Sequence, residues 1–286
     1  MVKRQKRLLG ALLCVTVLVG GSLAWGNLTL SVSAYEVASA ALPSAFDGFK
    51  IAQVSDLHNT HITSVSSAVL RSLQAEQPDV IVLTGDSIDC RKTDVDEALR
   101  QIAAFTRVAP CYACLGNHEI NYASYDPDGF ATFLEGLDEL GVTLLRNEKT
   151  EITRGGDTVT VCGLLDFYAP EADAFTTTET ADMFCAATGK GEGFSLLLAH
   201  QPQELPVYAA YGYDLVFSGH AHGGQARLFG RGLIAPDQGL FPKYTAGKHT
   251  EGATAMIISR GVGNSIIPVR VLDRPELVYC TLHTAE

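Results

Sequence analysis

The chain has 286 residues, of which 47% are apolar and 19% are charged, which is enough for one large core or two small ones. This composition excludes a disordered chain and a small domain held together by disulfides. The formal net charge is -11 although the first residues are basic, so the remainder is acidic and duplex nucleic acid is an unfavourable general partner.

The N-terminal segment combines basic residues with an uncharged apolar stretch. The basic residues are Lys3, Arg4, Lys6 and Arg7. Residues 8–25 carry no charge and would span roughly 27 Å as a helix, against a hydrocarbon core of about 30 Å. We therefore predict a signal anchor in the cell membrane over residues 1–26, with a cleaved signal peptide as the alternative. The positive-inside rule then places the body on the extracytoplasmic face, or outside the cell as a secreted protein if the segment is cleaved.

Residues 27–45 are small and polar, which predicts a linker, and the pattern after them predicts a single domain over residues 46–286. Short apolar runs typical of buried strands recur along this domain. They cover residues 50–54, 80–84, 112–115, 195–199 and 214–218.

Helical periodicity separates the first three runs. The predicted helices lie around residues 65–73, over residues 95–103 behind Asp94, and over residues 130–140 behind Asp126 and Pro127. Further strands are predicted at residues 142–145, on both sides of Gly155 and Gly156, and at 255–259, 266–271 and 276–282. The order of elements indicates an α/β fold, built as a mixed sheet or a two-sheet sandwich flanked by helices.

Each of the five early runs ends in side chains that can bind a metal ion. These are Asp56 and His58, Asp86 and Asp89, Asn117 with His118 and Glu119, His200, and His220 with His222. Ligand sites in open α/β sheets form at the carboxyl ends of strands, so the clusters are expected to converge. Each cluster alone also fits a turn, a loop or a buried imidazole, whereas their common position favours a metal site.

The succession Asp-x-His, Gly-Asp-x-x-Asp, Gly-Asn-His-Glu, His and Gly-His-x-His resembles the calcineurin-like metallophosphoesterase family, over residues 46–283. Three segments are most similar to its membrane-associated bacterial phosphodiesterase branch, namely residues 219–225, 241–244 and 259–261. The resemblance implies a four-layer α/β/β/α sandwich that holds two divalent metal ions bridged by an aspartate. Manganese, iron and zinc all suit such ligands.

The resemblance also implies a role for each motif residue. One ion would be held by Asp56, His58, Asp86 and His222, and the other by Asp86, Asn117, His200 and His220. A metal-bridging hydroxide would attack phosphorus, while His118 would assist the leaving group and Asp89 would fix the tautomer of His118. Many family members carry an arginine directly after the second aspartate, but this chain has Cys90 there and Arg91 one place later.

The sequence thus predicts an extracytoplasmic, metal-dependent phosphoesterase, foremost a phosphodiesterase. Its partners would be the membrane, through the N-terminal segment, and a phosphate ester that can be lipid-linked. Two alternatives stay open. One is a pyrophosphohydrolase or nucleotidase acting on a lipid-linked nucleotide, and the other is a catalytically silent surface module that binds metal or a phospholigand.

Overall fold

The computed structural model describes residues 2–168, 175–264 and 268–285. Its helices are α1 (Val2–Leu28), α2 (Thr63–Glu76), α3 (Val95–Thr106), α4 (Asn117–Tyr125), α5 (Pro127–Glu139), α6 (Thr177–Thr188) and α7 (Leu205–Ala210). The strands of the first half are β1 (Ser31–Ser39), β2 (Lys50–Val54), β3 (Val80–Thr84), β4 (Cys111–Cys114), β5 (Thr143–Leu144), β6 (Glu148–Arg154) and β7 (Asp157–Gly163). Those of the second half are β8 (Ser195–Leu198), β9 (Leu215–Ser218), β10 (Arg227–Leu228), β11 (Arg231–Gly232), β12 (Ile234–Ala235), β13 (Gly239–Leu240), β14 (Gly247–Glu251), β15 (Thr254–Ile258) and β16 (Glu276–Thr284).

Two mixed six-stranded sheets form the body. The first has the order β1-β16-β2-β3-β4-β5 and the second has the order β14-β15-β9-β8-β7-β6. Strands β2 to β5 are parallel, as are β7, β8, β9 and β15, so both sheets have a parallel centre. Two small hairpins, β10–β11 and β12–β13, lie outside the sheets.

Alternate side chains of the central strands pack on opposite sides of each sheet. Val82 of β3 shares a buried cluster with Phe217 of the other sheet, so the inner faces pack together. The next residue along β3, Leu83, belongs instead to the cluster that contains Val69 of α2. Because strand side chains alternate in direction, helices cover the outer faces and the order of layers is helix, sheet, sheet, helix. The predicted α/β fold with mixed sheets is confirmed.

Helices α3 and α5 begin where capping residues predict. The Asp94 carboxylate accepts a hydrogen bond from the backbone N–H of Glu97 at 3.0 Å, and Asp126 accepts one from Gly129 at 3.0 Å. Helix α4 was not predicted, because its short run begins inside the Gly-Asn-His-Glu motif and offers little apolar periodicity.

The predicted linker over residues 27–45 is wrong in its centre. Residues Ser31–Ser39 form β1, which pairs in parallel with β16 along its whole length. An edge strand with one solvated face carries the same small and polar residues as a linker, and this explains the error. Of the predicted strand at 266–271, residues 266 and 267 lie outside the described residues, and the rest has only a bridge between Val271 and Ala226.

Within the three described ranges, no helix has both the length and the mean hydropathy that crossing a membrane requires.

We expect the two valines of β1 to differ in their effect on stability. Val37 is buried, so Val37→Ala should lower the free energy of unfolding by roughly 1–3 kcal/mol. Val32 on the same strand is half exposed, and Val32→Ala should change the free energy of unfolding by less than about 0.5 kcal/mol. Urea unfolding of the two variants measures the difference, and equal values would contradict the place of β1 in the first sheet.

Candidate metal centre

The predicted metal-binding residues meet at the carboxyl ends of five central strands. Each follows its strand directly or within a few residues: Asp56 and His58 after β2, Asp86 after β3, Asn117 after β4, His200 after β8, and His220 with His222 after β9. The histidines and aspartates of this set are buried. The two sheets together therefore bring close residues that lie far apart in the sequence.

A first group of four side chains lies around the end of β2. One ligand atom from each of Asp56, His58, Asp86 and His222 lies within 4.8 Å of the others. His58 Nε2 faces His222 Nε2 at 3.0 Å, and His222 Nε2 lies 3.3 Å from Asp56 Oδ1. This is the set of residues predicted to hold one ion.

A second group shares Asp86 with the first. Asp86, His200 and His220 also offer ligand atoms within 4.8 Å of one another, and Asn117 Oδ1 lies 2.9 Å from His220 Nδ1. The Asp86 Oδ2 atom is 3.6 Å from His58 Nε2 and 3.2 Å from His200 Nε2. One carboxylate oxygen thus lies between the two groups.

The direction of the lone pairs fits bound cations. His200 Nδ1 lies 2.7 Å from the carbonyl oxygen of Thr84, which can only accept, so Nδ1 carries the proton and the Nε2 lone pair faces Asp86. The Nε2 lone pair of His200 and Asp86 Oδ2 are both acceptors and lie 3.2 Å apart, so a proton or a cation must lie between them. Among the residues that the structure describes, none gives a hydrogen-bond partner to the buried Asp56 Oδ2, which costs free energy unless a cation satisfies this oxygen. Nitrogen and oxygen donors of this kind suit manganese, iron or zinc.

The electrostatics keep three of the ligands, His58, His222 and Asp86, in metal-binding protonation states. Burial lowers the pKa of His58 to about 3 and that of His222 well below its usual value, so both imidazoles are neutral near pH 7. Burial opposes the charged form of Asp86, yet His200 and His118 outweigh it and hold the pKa of Asp86 well below its usual value. The ionised Asp86 in turn raises the pKa of His200 against the effect of burial.

The backbone at the site is strained and tightly packed. The ligand residues with positive φ, between 45° and 66°, are Asp56, His58, Asp86, His220 and His222. Such conformations are uncommon for residues other than glycine and cluster at functional sites. A Cβ on Gly116 would clash with Asp86 Oδ1, so this glycine permits the close approach of the loops after β3 and β4.

Glu119 forms hydrogen bonds with the backbone of both loops. Its carboxylate accepts hydrogen bonds from the backbone N–H groups of Asp86 at 2.8 Å, Ile88 at 3.0 Å and Gly116 at 2.7 Å. Burial and the neighbouring Asp86 raise the pKa of Glu119 to about 8. Sequence reasoning placed Glu119 in a motif but gave it no role, because its partners are backbone groups.

The surroundings of His118 differ from the prediction. The backbone N–H of Cys90 donates to His118 Nδ1 at 3.0 Å, and this bond places the proton of the neutral ring on Nε2. Asp89 Oδ1 is 3.9 Å from His118 Nδ1 and accepts from the backbone N–H of Arg91 at 2.8 Å. The loop backbone therefore fixes the tautomer, and Asp89 shapes that loop.

Two further side chains contact the ligands and were missed. Asp237, in the turn of the β12–β13 hairpin, lies 3.1 Å from His220 Nε2, and this contact lowers the pKa of Asp237. The buried Arg270 lies 3.3 Å from His222 Nδ1 and donates to the carbonyl oxygen of Gly263 at 2.6 Å. Neither residue stands in a motif, and no signal in the sequence marks them.

A cavity of about 230 Å³ opens beside the ligands. Its lining includes His118, Asn121, Tyr168, Pro236 and Arg91. Arg91 stands one position later than the arginine of many family members, and it still reaches this cavity. The cavity can admit the polar part of a phosphate ester next to both groups of ligands.

Comparison with known proteins agrees with this geometry. The family model for calcineurin-like phosphoesterases matches residues 49–224. The chain is 29% identical to YkuE, an uncharacterized metallophosphoesterase of Bacillus subtilis, over 99% of this chain and 98% of that protein.

Two relatives have named activities. The phosphodiesterase YaeI of Escherichia coli is 28% identical and aligns over 82% of each chain. The UDP-2,3-diacylglucosamine pyrophosphatase LpxG of Chlamydia trachomatis is 29% identical over 65% of this chain and 68% of that protein.

Metal analysis of the full chain tests the shared position of Asp86. The chain equilibrated with manganese should bind about two equivalents, and Asp86→Ala should bind fewer than either His58→Ala or His200→Ala, because it removes a ligand from both groups. Asp138→Ala, on the exposed side of α5, is the matched control and should bind as the parent does. Two tightly bound equivalents in Asp86→Ala would contradict the shared position.

Proposed function

This chain belongs to the calcineurin-like phosphoesterase family and is a metal-dependent phosphoester hydrolase, and we propose that it cleaves phosphodiesters with two divalent ions on the extracytoplasmic side of a membrane. The observation that carries the proposal is the single Asp86 oxygen between two groups of ligands, next to a cavity lined by His118. A catalytically silent binding module would not need His118 beside a complete set of ligands.

We assign one ion to Asp56, His58, Asp86 and His222, and the other to Asp86, Asn117, His200 and His220. Two bound divalent ions would polarise a phosphoryl oxygen and lower the pKa of a bound water. The chain supplies the rest. The loops hold the carboxylate of Asp86 ionised and the imidazoles of His58 and His222 neutral, so that these three can coordinate at neutral pH.

His118 is the proposed residue at the leaving group. With Nδ1 accepting from the N–H of Cys90, its neutral ring carries a proton on Nε2, which can donate a hydrogen bond to the oxygen of a departing group and stabilise the charge that develops there. Its backbone N–H donates to Asp86 Oδ1 at 2.9 Å, so the main chain of the same residue also positions the shared ligand.

The named relatives support an ester with one or more organic substituents. YaeI is named a phosphodiesterase, and LpxG is named for a pyrophosphate bond in a lipid-linked nucleotide. A lipid-linked pyrophosphate is therefore the second candidate substrate. Turnover of a phosphodiester, a phosphomonoester and a lipid-linked diphosphate by the manganese-loaded chain would rank the three classes.

The extracytoplasmic location rests on the N-terminal segment. Basic residues precede an uncharged stretch, and the described apolar side chains of α1, such as Leu12, Val15 and Leu18, are exposed. Exposed apolar surface on a helix is typical of contact with lipid. We propose that α1 attaches the chain to the membrane with its basic end inside.

Loss of His118 should separate chemistry from metal binding. His118→Ala keeps the backbone bond to Asp86 and should retain both ions, yet lose turnover by roughly 10²–10⁴-fold. The loss should shrink for aryl esters, whose leaving groups depart without a proton. His61→Ala is the control, because His61 is an exposed histidine outside the ligand groups, and it should leave turnover unchanged. Equal losses on alkyl and aryl esters would reject the assignment.

Protease treatment of intact cells tests the location. A chain tagged at its C-terminus should be digested from outside, while a cytoplasmic marker protein stays intact. A protected tag would show that the body lies inside. Release of a body that starts near Trp25 or Tyr35 would identify the segment as a cleaved signal.

A further inference from the structure

Two small hairpins stand over the metal centre and expose apolar side chains. We call residues 226–246 the hairpin lobe; it contains β10–β11 and β12–β13. Phe229 at the tip of the first hairpin is 96% exposed, and Leu240 and Phe241 are 73% and 74% exposed. Exposed apolar side chains that are scattered singly over a surface are ordinary. Several large ones within one short segment instead indicate a contact surface.

The apolar residues of the second hairpin share a face. Ile234 pairs across the hairpin with Leu240, and both are exposed. Side chains of directly paired residues lie on the same side of a hairpin. At the turn of this hairpin, Asp237 contacts His220, so the lobe is held against a metal ligand.

The charges of the hairpin lobe are mainly basic, in contrast to the net charge of the chain. Asp237 is engaged with His220, whereas Arg231 and Lys243 are exposed and line a recess of about 490 Å³ together with Phe241. Basic side chains beside protruding apolar ones are complementary to an anionic lipid surface, where cations meet phosphates and apolar groups enter the boundary of the acyl chains.

The hairpin lobe is continuous with the end of the apolar helix α1. Asn27 at that end exchanges two hydrogen bonds with the backbone of Arg270, at 2.8 Å and 2.9 Å. One residue further, the carbonyl oxygen of Val271 accepts from the backbone N–H of Arg227 at 3.0 Å. The segment around Arg270 therefore fixes the helix end, the hairpin lobe and, through the guanidinium, His222 relative to one another.

From these observations we infer that the hairpin lobe docks on an anionic lipid bilayer through Phe229, Leu240 and Phe241, with Arg231 and Lys243 at the headgroups. This extends the proposed attachment of α1, and it places the metal centre at the surface of the membrane, where phosphate esters of lipids lie. The contact itself requires no hydrolysis.

Fluorescence quenching by lipid tests the contact in the full chain. In a Trp25→Phe background, Phe229→Trp introduces one indole at the tip of the lobe. Its emission should shift to the blue and fall in vesicles of brominated phosphatidylcholine and phosphatidylglycerol, relative to the same vesicles without bromine. The matched control is Thr158→Trp in the same background, since Thr158 is exposed at the opposite end of the sheets, at the start of β7. The control should show no loss.

Charge is tested separately. Adding Arg231→Gln and Lys243→Gln to the Phe229→Trp chain should reduce quenching in the anionic vesicles. Unquenched emission from the Phe229→Trp chain while α1 holds the protein on the vesicles would overturn the inference. The inference would also be overturned, in favour of contact with a second copy, by two results together. These are blue-shifted emission of the Phe229→Trp chain without lipid, and a dimer in light scattering. Turnover of a soluble diester, measured in parallel, reports on the proposed function alone.

Discussion

One buried carboxylate holds the metal centre together. Glu119 binds backbone N–H groups on the loops after β3 and β4, including that of Asp86. Because Asp86 belongs to both groups of ligands, a displacement of either loop would change both ligand groups at once. The same two loops are tied again where the backbone of His118 donates to Asp86. The position of Asp86 thus depends on main-chain hydrogen bonds that join the two loops.

The metal centre holds opposite charges close together in a buried environment. Burial raises the pKa of Asp56, while neighbouring histidines keep Asp86 ionised. Without a cation such a cluster must share protons, as the raised pKa of His200 shows. Strained backbone at the ligand residues is a second cost of the arrangement. A site of this kind is stable only where the surrounding sheets fix it, and the parallel strands that end beneath it provide this support.

The sequence allowed the ligands to be predicted, because each follows an apolar run whose period and length identify a strand. Their neighbours could not be predicted in the same way. Glu119 acts on backbone groups, Asp237 comes from a hairpin without a clear pattern, and Arg270 is buried by contacts that only the tertiary fold creates. Residues 31–39 resembled a linker because one face of an edge strand carries small polar side chains. The composition of a segment indicates how exposed it is to solvent. It does not reveal a strand far along the sequence with which the segment pairs.

The place of β16 in the first sheet has a consequence for biosynthesis. Strand β1 pairs with β16, and β16 also separates β1 from β2, although some 240 residues lie between β1 and β16 in the sequence. As the ribosome delivers the chain, β1 must wait until β16 emerges before it can join the sheet. Contacts of such long sequence separation form slowly. The nascent chain therefore passes through an interval with an unfinished sheet, a state whose exposed strand edges need protection from aggregation.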